Sequence, residues 1–323
     1  MQRHFSFWLR VAFMAWPALA LVWSGLAVAA QAGAGASCPP QAQAPTRSLI
    51  QQAREQATDR GFLWRIARGG RDSYLYGTVH AGRPEWFAMG PQTAASLART
   101  GVLALEINVT DPAVQEALRE AAQGTSRPLP SALMQALRDA WTAECLPVAE
   151  LGRGAPEVHA LQLAVAQAQR QGLFPHYGAE SVLLMNSLAV QRPVAGLEAV
   201  QTQLSALLAR DEEEAAVLVG EALAEWRRPD GAHTMERLVR AWAAGDLEEL
   251  ARYPDWCGCM DSPRERDYYI RLVDGRNPGM ADAIERLHAQ VSVFAAVGAL
   301  HMVGPQGLPA LLRARGFTVS RVF

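Results

Sequence analysis

Apolar residues recur along this chain in two rhythms, and the change of rhythm divides it. Phe62 to Ile66 and Tyr74 to Val79 alternate or run apolar around Arg68-Gly69-Gly70-Arg71-Asp72, which predicts a hairpin. Pro91 to Thr100 has helical spacing and stops at Gly101, and Val102 to Ile107 predicts another short strand. From Pro112 the period lengthens: Pro112 to Gln123, Ser131 to Thr142, Glu157 to Gln171 and Glu180 to Val190 repeat Ala, Leu and Gln at helical intervals. Pro193 to Leu197 is a brief strand. Helices then follow over Gln201 to Ala209, Glu212 to Arg227, Thr234 to Ala244, Asp246 to Arg252, Pro263 to Asp274 and Pro278 to Gln290. The strand signal returns at Ser292 to Val297, a helix runs from Gly307 to Ala314, and Phe317 to Val322 ends the chain. The simplest architecture is α/β, a mixed β-sheet formed by both ends of the chain and covered by a largely helical middle segment. It forms a single domain over residues 61–323.

The first sixty residues do not share this pattern. Arg3 and Arg10 flank an apolar run from Val11 to Ala30, and Ala27-Val28-Ala29 offers a small-x-small cleavage site, so residues 1–29 read as a signal peptide. The alternative is an uncleaved inner-membrane anchor, against which Pro17 and Gly25 interrupt a continuous helix. Residues 30–60, rich in Ala, Gln, Pro and Gly, predict a flexible leader ending in a short polar helix, Ser48 to Asp59. A periplasmic or secreted location follows, with membrane contact only through an uncleaved signal.

Composition narrows the chemistry. All 30 basic residues of the 323 are arginine, so Schiff-base catalysis, a Walker lysine and a Ser/Lys dyad are excluded. The formal net charge is -2, or -4 without the signal, which leaves no electrostatic footprint for nucleic acid. Four cysteines, Cys38, Cys145, Cys257 and Cys259, form an even set that suggests disulfides in an exported chain. A one-residue loop strains disulfide geometry, so Cys257 and Cys259 are expected to bond Cys38 and Cys145 rather than each other.

One partial echo carries the candidate chemistry. Gly77-Thr78-Val79-His80 and Gly298-Ala299-Leu300-His301 each end an apolar strand, where α/β sheets present functional side chains. Gly77 and Gly298 would let backbone or ligand approach closely. Either histidine alone reads better as a buried imidazole bonded to backbone than as a functional group. Glu106, the sole charge after Val102-Leu103-Ala104-Leu105, either completes a two-histidine, one-carboxylate ligand set for a divalent metal or pairs with an arginine. Glu198 follows Pro193 to Leu197 as a candidate general base or orienting partner. Arg276-Asn277 offers a fork for a carboxylate or oxyanion, or is a turn between helices. His176 lies in a loop that could border a substrate cleft, and Asp211-Glu212-Glu213-Glu214 reads as a helix N-terminus.

Taken in order, Tyr74 to His80, Leu105-Glu106, Gly196-Leu197-Glu198 with Gln203-Leu204, Trp242 with Gly245-Asp246, Arg276-Asn277 and Val297 to His301 with Gly304 resemble the TraB/GumN family, which includes the Tiki metalloproteases. The resemblance covers roughly residues 61–323. It implies a mixed sheet built from both chain ends and a metal-dependent hydrolase, most simply a peptidase. His80, Glu106 and His301 would hold Mn, Co or Zn, with Glu198 and Arg276 catalytic. Thr78, Gln203 and Asn277 would contact substrate or support the ligands. Gly178-Ala179-Glu180 stands where a Gly-x-Asp is commoner in the family. The substrate would be a peptide or small molecule. The alternatives are a periplasmic metal- or haem-binding protein without catalysis, since the fold also resembles haem-binding and esterase-like relatives, and an interaction scaffold in which the motifs are structural.

Overall fold

A computed structural model describes residues 38–124, 127–228 and 231–323; the expected signal peptide, residues 1–29, lies outside them. Six strands make one mixed sheet: β1 Phe62–Arg68, β2 Arg71–Thr78, β3 Val102–Leu105, β4 Val194–Gly196, β5 Val293–Gly298 and β6 Thr318–Arg321. Their order is β4-β3-β5-β2-β1-β6. β1 pairs antiparallel with β2 as the expected hairpin, and with β6 on its other side. β2, β5, β3 and β4 run parallel. Every residue of β3 and β5 is buried, as expected for central parallel strands covered on both faces. That is why they read as unbroken apolar runs rather than as alternation.

The middle of the chain is helical, as its period predicts. The helices are α1 Arg47–Glu55, α2 Pro91–Ala98, α3 Pro112–Gln123, α4 Ser131–Ala143, α5 Pro156–Arg170, α6 Ala179–Ala189 and α7 Val200–Leu207. They continue as α8 Glu212–Arg227, α9 Gly231–Ala244, α10 Leu247–Ala251, α11 Tyr253–Trp256, α12 Pro263–Tyr269, α13 Asn277–Gln290 and α14 Leu308–Ala314. Their starts follow capping chemistry. Asp211 accepts from Glu214 N with three glutamates in the first turn of α8, and Ser262 forms a capping box with Glu265 at α12. One continuous apolar cluster joins Phe294 and Leu103 of the sheet to Trp141, Leu163, Leu218 and Ile284 of the helices.

Two departures from the sequence expectation matter. The helix expected from Pro263 to Asp274 is broken, because α12 ends at Tyr269 and Ile270–Asp274 winds as a π-helix, with Gly275 N donating to Ile270 O at 2.6 Å. A widened turn of this kind re-aims the chain that follows, here Arg276 and Asn277. The cysteine pairing is also corrected: Cys38 bonds Cys145, and Cys257 bonds Cys259. The close pair can bridge because Gly258 adopts φ +60, which folds the chain back and brings the two Cα atoms to 5.1 Å, within the ordinary disulfide range.

Residues 38–60, expected as a flexible leader, are attached at several points. Cys38 is bonded to Cys145, Gln43 O accepts from Tyr177 Oη at 2.7 Å, and Asp59 accepts from the backbone of Gln92 and Thr93 at the start of α2. Among the described residues no helix is long and apolar enough to cross a membrane.

Candidate functional site

Parallel pairing aligns four strand ends on one edge of the sheet. Thr78 lies opposite Gly298, and Leu105 lies opposite both Ala296 and Gly196. The residues that leave these strands are therefore His80, Glu106, Glu198 and His301, and the two Gly-x-x-His motifs occupy neighbouring strands. Open α/β sheets bind ligands at such an edge, beyond the carboxyl ends of their parallel strands.

Glu106 and Arg276 form the centre. Arg276 Nη2 donates to Glu106 Oε2 at 2.5 Å and also bonds Glu198 Oε1; its Nε reaches both Glu198 oxygens at 3.2 and 3.1 Å. Nη1 donates to Leu272 O, in the π-helix, at 2.9 Å. Gln203 of α7 donates to Glu106 Oε2 at 3.0 Å, and Gly298 N donates to Glu106 Oε1 at 2.9 Å. Burial alone would raise the Glu106 pKa. The charges of Arg276, His301 and His80 and the Gly298 amide outweigh it and hold the carboxyl at about 2. Burial raises the Glu198 pKa against the pull of Arg276.

The two histidines are held differently. His301 Nδ1 lies 2.6 Å from Asn277 Oδ1, and the amide is oriented by its own donation from Nδ2 to Gln306 O at 2.8 Å. Nδ1 therefore carries the proton. Nε2 presents a lone pair 3.9 Å from Glu106 Oε1. Burial drives the His301 pKa down to about 3, so the ring is neutral across the ordinary range. His80 Nδ1 lies 2.9 Å from Glu180 Oε1, off the line of an ideal hydrogen bond, while Thr78 Oγ1 donates to that same oxygen. Burial alone would lower the His80 pKa, but the charge of the adjacent Glu180 prevails and raises it. Both ring nitrogens of His80, Nδ1 as well as Nε2, and Glu180 Oε2 are buried without a hydrogen-bond partner.

The expected ligand set fits an ion only in part. His301 presents Nε2 with Nδ1 engaged by Asn277, which is how metal-binding histidines are held, while His80 Nδ1 only stands beside Glu180. The carboxylate does not join them. Glu106 Oε2 is taken by Arg276 and Gln203, Oε1 by the Gly298 amide, and among the described residues no three His, Cys, Asp or Glu side chains converge as an ion-holding group. A guanidinium 2.5 Å from the one carboxylate of the set also opposes a cation electrostatically. Arg276, read from the sequence as a charge stabiliser, has its Nε, Nη1 and Nη2 engaged by Glu198, Glu106 and Leu272 O.

The remaining expectations sort cleanly. Gly77 O accepts from Trp242 Nε1 at 2.8 Å, and a Cβ at Gly77 would stand 3.0 Å from Met302 Cγ. Gly298 contributes its amide to Glu106, and its φ of -49 is one that any residue adopts. Asn277 and Gln203 support His301 and Glu106 respectively, and His176 is an exposed residue of a short helical turn. A cavity of about 470 Å³ near Arg71, Arg99 and Ser292 lies at the opposite end of β2 and β5 and does not belong to this site.

One functional residue lay outside the sequence reading. Glu180, in the first turn of α6, is brought to His80 because Ala179 N donates to Val79 O at 2.9 Å, stitching α6 onto the strand end. The signal for it was present in Gly178-Ala179-Glu180, an acid at a helix start where the family carries an Asp.

Residues 62–321, from the first residue of β1 to the last of β6, match the model of the TraB/PrgY/gumN family. The chain is 24% identical over 245 residues to the uncharacterized protein YbaP of Shigella flexneri, an alignment covering 76% of this chain and 89% of that protein. The same values hold for the uncharacterized protein YbaP of Escherichia coli (strain K12). No solved structure matches. With the match spanning the whole sheet and both Gly-x-x-His motifs, the chain belongs to the TraB/PrgY/gumN family.

Proposed function

We propose that this chain is an exported hydrolase that cleaves amide bonds in peptides or related small molecules, with His80 as the group that moves the proton. One observation carries the reading: His80 is buried at the strand-end edge with Nδ1 2.9 Å from the Glu180 carboxylate, close enough to pair with it as an imidazolium, and with Nε2 free of any hydrogen bond, as Nδ1 itself is in the present geometry. A carboxylate on Nδ1 fixes the tautomer and leaves Nε2 as the base, the arrangement that activates a nucleophile in acyl transfer. Two disulfides in the described residues support an oxidising compartment.

In this reading Nε2 takes a proton from water as the water oxygen bonds to the scissile carbonyl carbon. The imidazolium, stabilised by Glu180, then returns the proton to the leaving nitrogen as the C–N bond breaks. Water is consumed and the balance closes. His301, whose pKa burial lowers to about 3, is neutral near neutral pH and serves in this reading as a hydrogen-bond acceptor for water or substrate. The four described cysteines are all disulfide-bonded, so none of them is the nucleophile.

The test uses the exported form of the chain, a panel of short peptides and detection of newly released amine. Bound metal is measured alongside in wild type, His80→Ala and His301→Ala. Cleavage by wild type that His80→Ala retains at full rate would sink the assignment. An ion retained by wild type, lost in both variants together with cleavage, would instead restore the metal-dependent reading and require Glu106 to leave Arg276.

A further inference from the structure

The site is closed. His80, Glu106, Arg276 and His301 are each no more than 4% exposed, so a substrate reaches His80 Nε2 only after something moves. Two loops stand over the His80 side of the edge. The segment after His80 pairs with the segment before α6 through reciprocal bonds, Gly82 N to Phe174 O at 3.0 Å and Phe174 N to Gly82 O at 2.8 Å. Phe87 of the first loop stacks edge-on against Tyr177 of the second, 6.1 Å between centroids.

A third element crosses both loops. It starts at Cys38, bonded to Cys145 of the helical cover 107 residues away. Gln43 O then accepts from Tyr177 Oη, three residues before Glu180. Helix α1 packs on the turn Pro84–Trp86, four residues after His80. The crossing ends at Asp59, which caps α2, and at Arg60, whose carbonyl accepts from Tyr76 Oη at 2.6 Å and whose guanidinium lies over Trp86. Besides the disulfide, the segment from 38 to 46 is attached by the Gln43 bond and by the burial of Pro39.

We infer that residues 38–60 are a strap that keeps the His80 site closed, with the Cys38–Cys145 disulfide as its latch. The two disulfides are unequal in a way that suits this division. Cys257 and Cys259 are fully buried, whereas Cys38 and Cys145 are half-exposed and Cys145 sits at φ +55, a left-handed conformation that a side chain adopts only under constraint. An exogenous dithiol reaches the second pair first. Its thiolate attacks one sulfur, and the resulting mixed disulfide is resolved by its second thiol. Cys38 and Cys145 gain two electrons and two protons as the dithiol closes to a disulfide. The strap is then free to lift from Tyr177.

The test does not depend on the chain being a hydrolase, because it labels His80 directly. The oxidised exported protein and Cys38→Ser/Cys145→Ser are treated with diethyl pyrocarbonate, and modification of each histidine is followed by peptide mass spectrometry. Opening the latch is expected to speed His80 labelling at least tenfold, with His288, buried elsewhere, unchanged as the internal control of the fold; His159, which packs on Trp141 close to Cys145, is followed as a reporter of the latch's own surroundings. Tyr177→Phe, which keeps the disulfide and removes only the Gln43 bond, is expected to give a smaller rise. Unchanged His80 labelling in the double variant would overturn the strap. So would an equal rise at all three histidines, since the disulfide would then hold the whole fold and not this edge.

Discussion

The two Gly-x-x-His motifs share a spacing and an edge, yet their imidazoles differ in almost every chemical respect. His80 faces a carboxylate that raises its pKa and leaves Nε2 unpartnered; His301 is pinned by an amide, and burial takes its pKa to about 3. A ring whose pKa is raised and a ring whose pKa is lowered to about 3 are suited to different tasks. The difference arises outside each motif's own pattern, in Glu180 of α6 and Asn277 of α13. A repeated motif therefore positions an imidazole, while the elements packed on it decide what that imidazole does.

The sharpest way to break the comparison is to remove each ring in turn. His80→Ala is expected to lower kcat on the peptide panel by roughly 10²–10⁴-fold, the ordinary worth of a general acid–base group. His301→Ala is expected to cost less and to act mainly on KM. Equal losses in kcat would mean that the two rings act as one unit, as shared ligands of an ion would. Arg276→Met tests the frame around them. It leaves Glu106 and Glu198 buried without their cation, which is expected to cost about 3–5 kcal/mol in urea unfolding. Unfolding within about 1 kcal/mol of wild type would mean that the carboxylates find water and that Arg276 is not the keystone.

Glu180→Gln comes next. With the carboxylate present, His80 sits above its ordinary value of 6.5, so kcat/KM falls as pH drops through a value above 6.5, where the base becomes protonated. With the charge removed, burial acts unopposed and that fall moves to lower pH, accompanied by a loss of roughly tenfold in kcat at neutral pH. The stability linkage runs the same way. The raised His80 pKa contributes stability that is fully present below 6.5 and is lost as pH rises through its folded value. The depressed Glu106 contributes stability present above 4.5 that is lost as pH falls toward about 2. A pH–rate profile in the glutamine variant that overlays wild type would remove Glu180 from the proton path.

The hydrophobic rhythm made the sheet and its helical cover legible, because parallel strands buried on both faces and long amphipathic helices leave strong, different periods. His80, Glu106, Glu198, Arg276 and His301 were legible for a related reason: each follows a strand end or a helix turn, and parallel pairing brings strand ends together. Their partners were harder to read. Whether Glu106 meets an arginine or an ion depends on the π-helix at Ile270–Asp274, which re-aims Arg276, and nothing in a run that scans as ordinary helix marks that widening. The cysteine pairing turned on one backbone angle at Gly258, and the Cys38 latch on the fold around Cys145. Local pattern fixes elements well; it says little about contacts between residues a hundred positions apart.

Asn277 tests the quieter half of the comparison. Its Oδ1 accepts from His301 Nδ1 only because its Nδ2 is committed to Gln306 O, and this pair of bonds decides which nitrogen of His301 carries the proton. Asn277→Leu removes the acceptor at similar volume. The Nδ1 proton is left buried and unpaired, at an expected cost of about 1–3 kcal/mol in urea unfolding. The ring then has a better option, since moving its proton to Nε2 allows donation toward Glu106 Oε1, 3.9 Å away in the present arrangement. Nitrogen-15 NMR of the imidazole separates the two tautomers directly: wild type is expected as Nδ1–H and the variant as Nε2–H. If wild type already carries its proton on Nε2, His301 is a donor to Glu106 and not a lone pair facing it. The contrast between the two motifs would then rest on Glu180 alone.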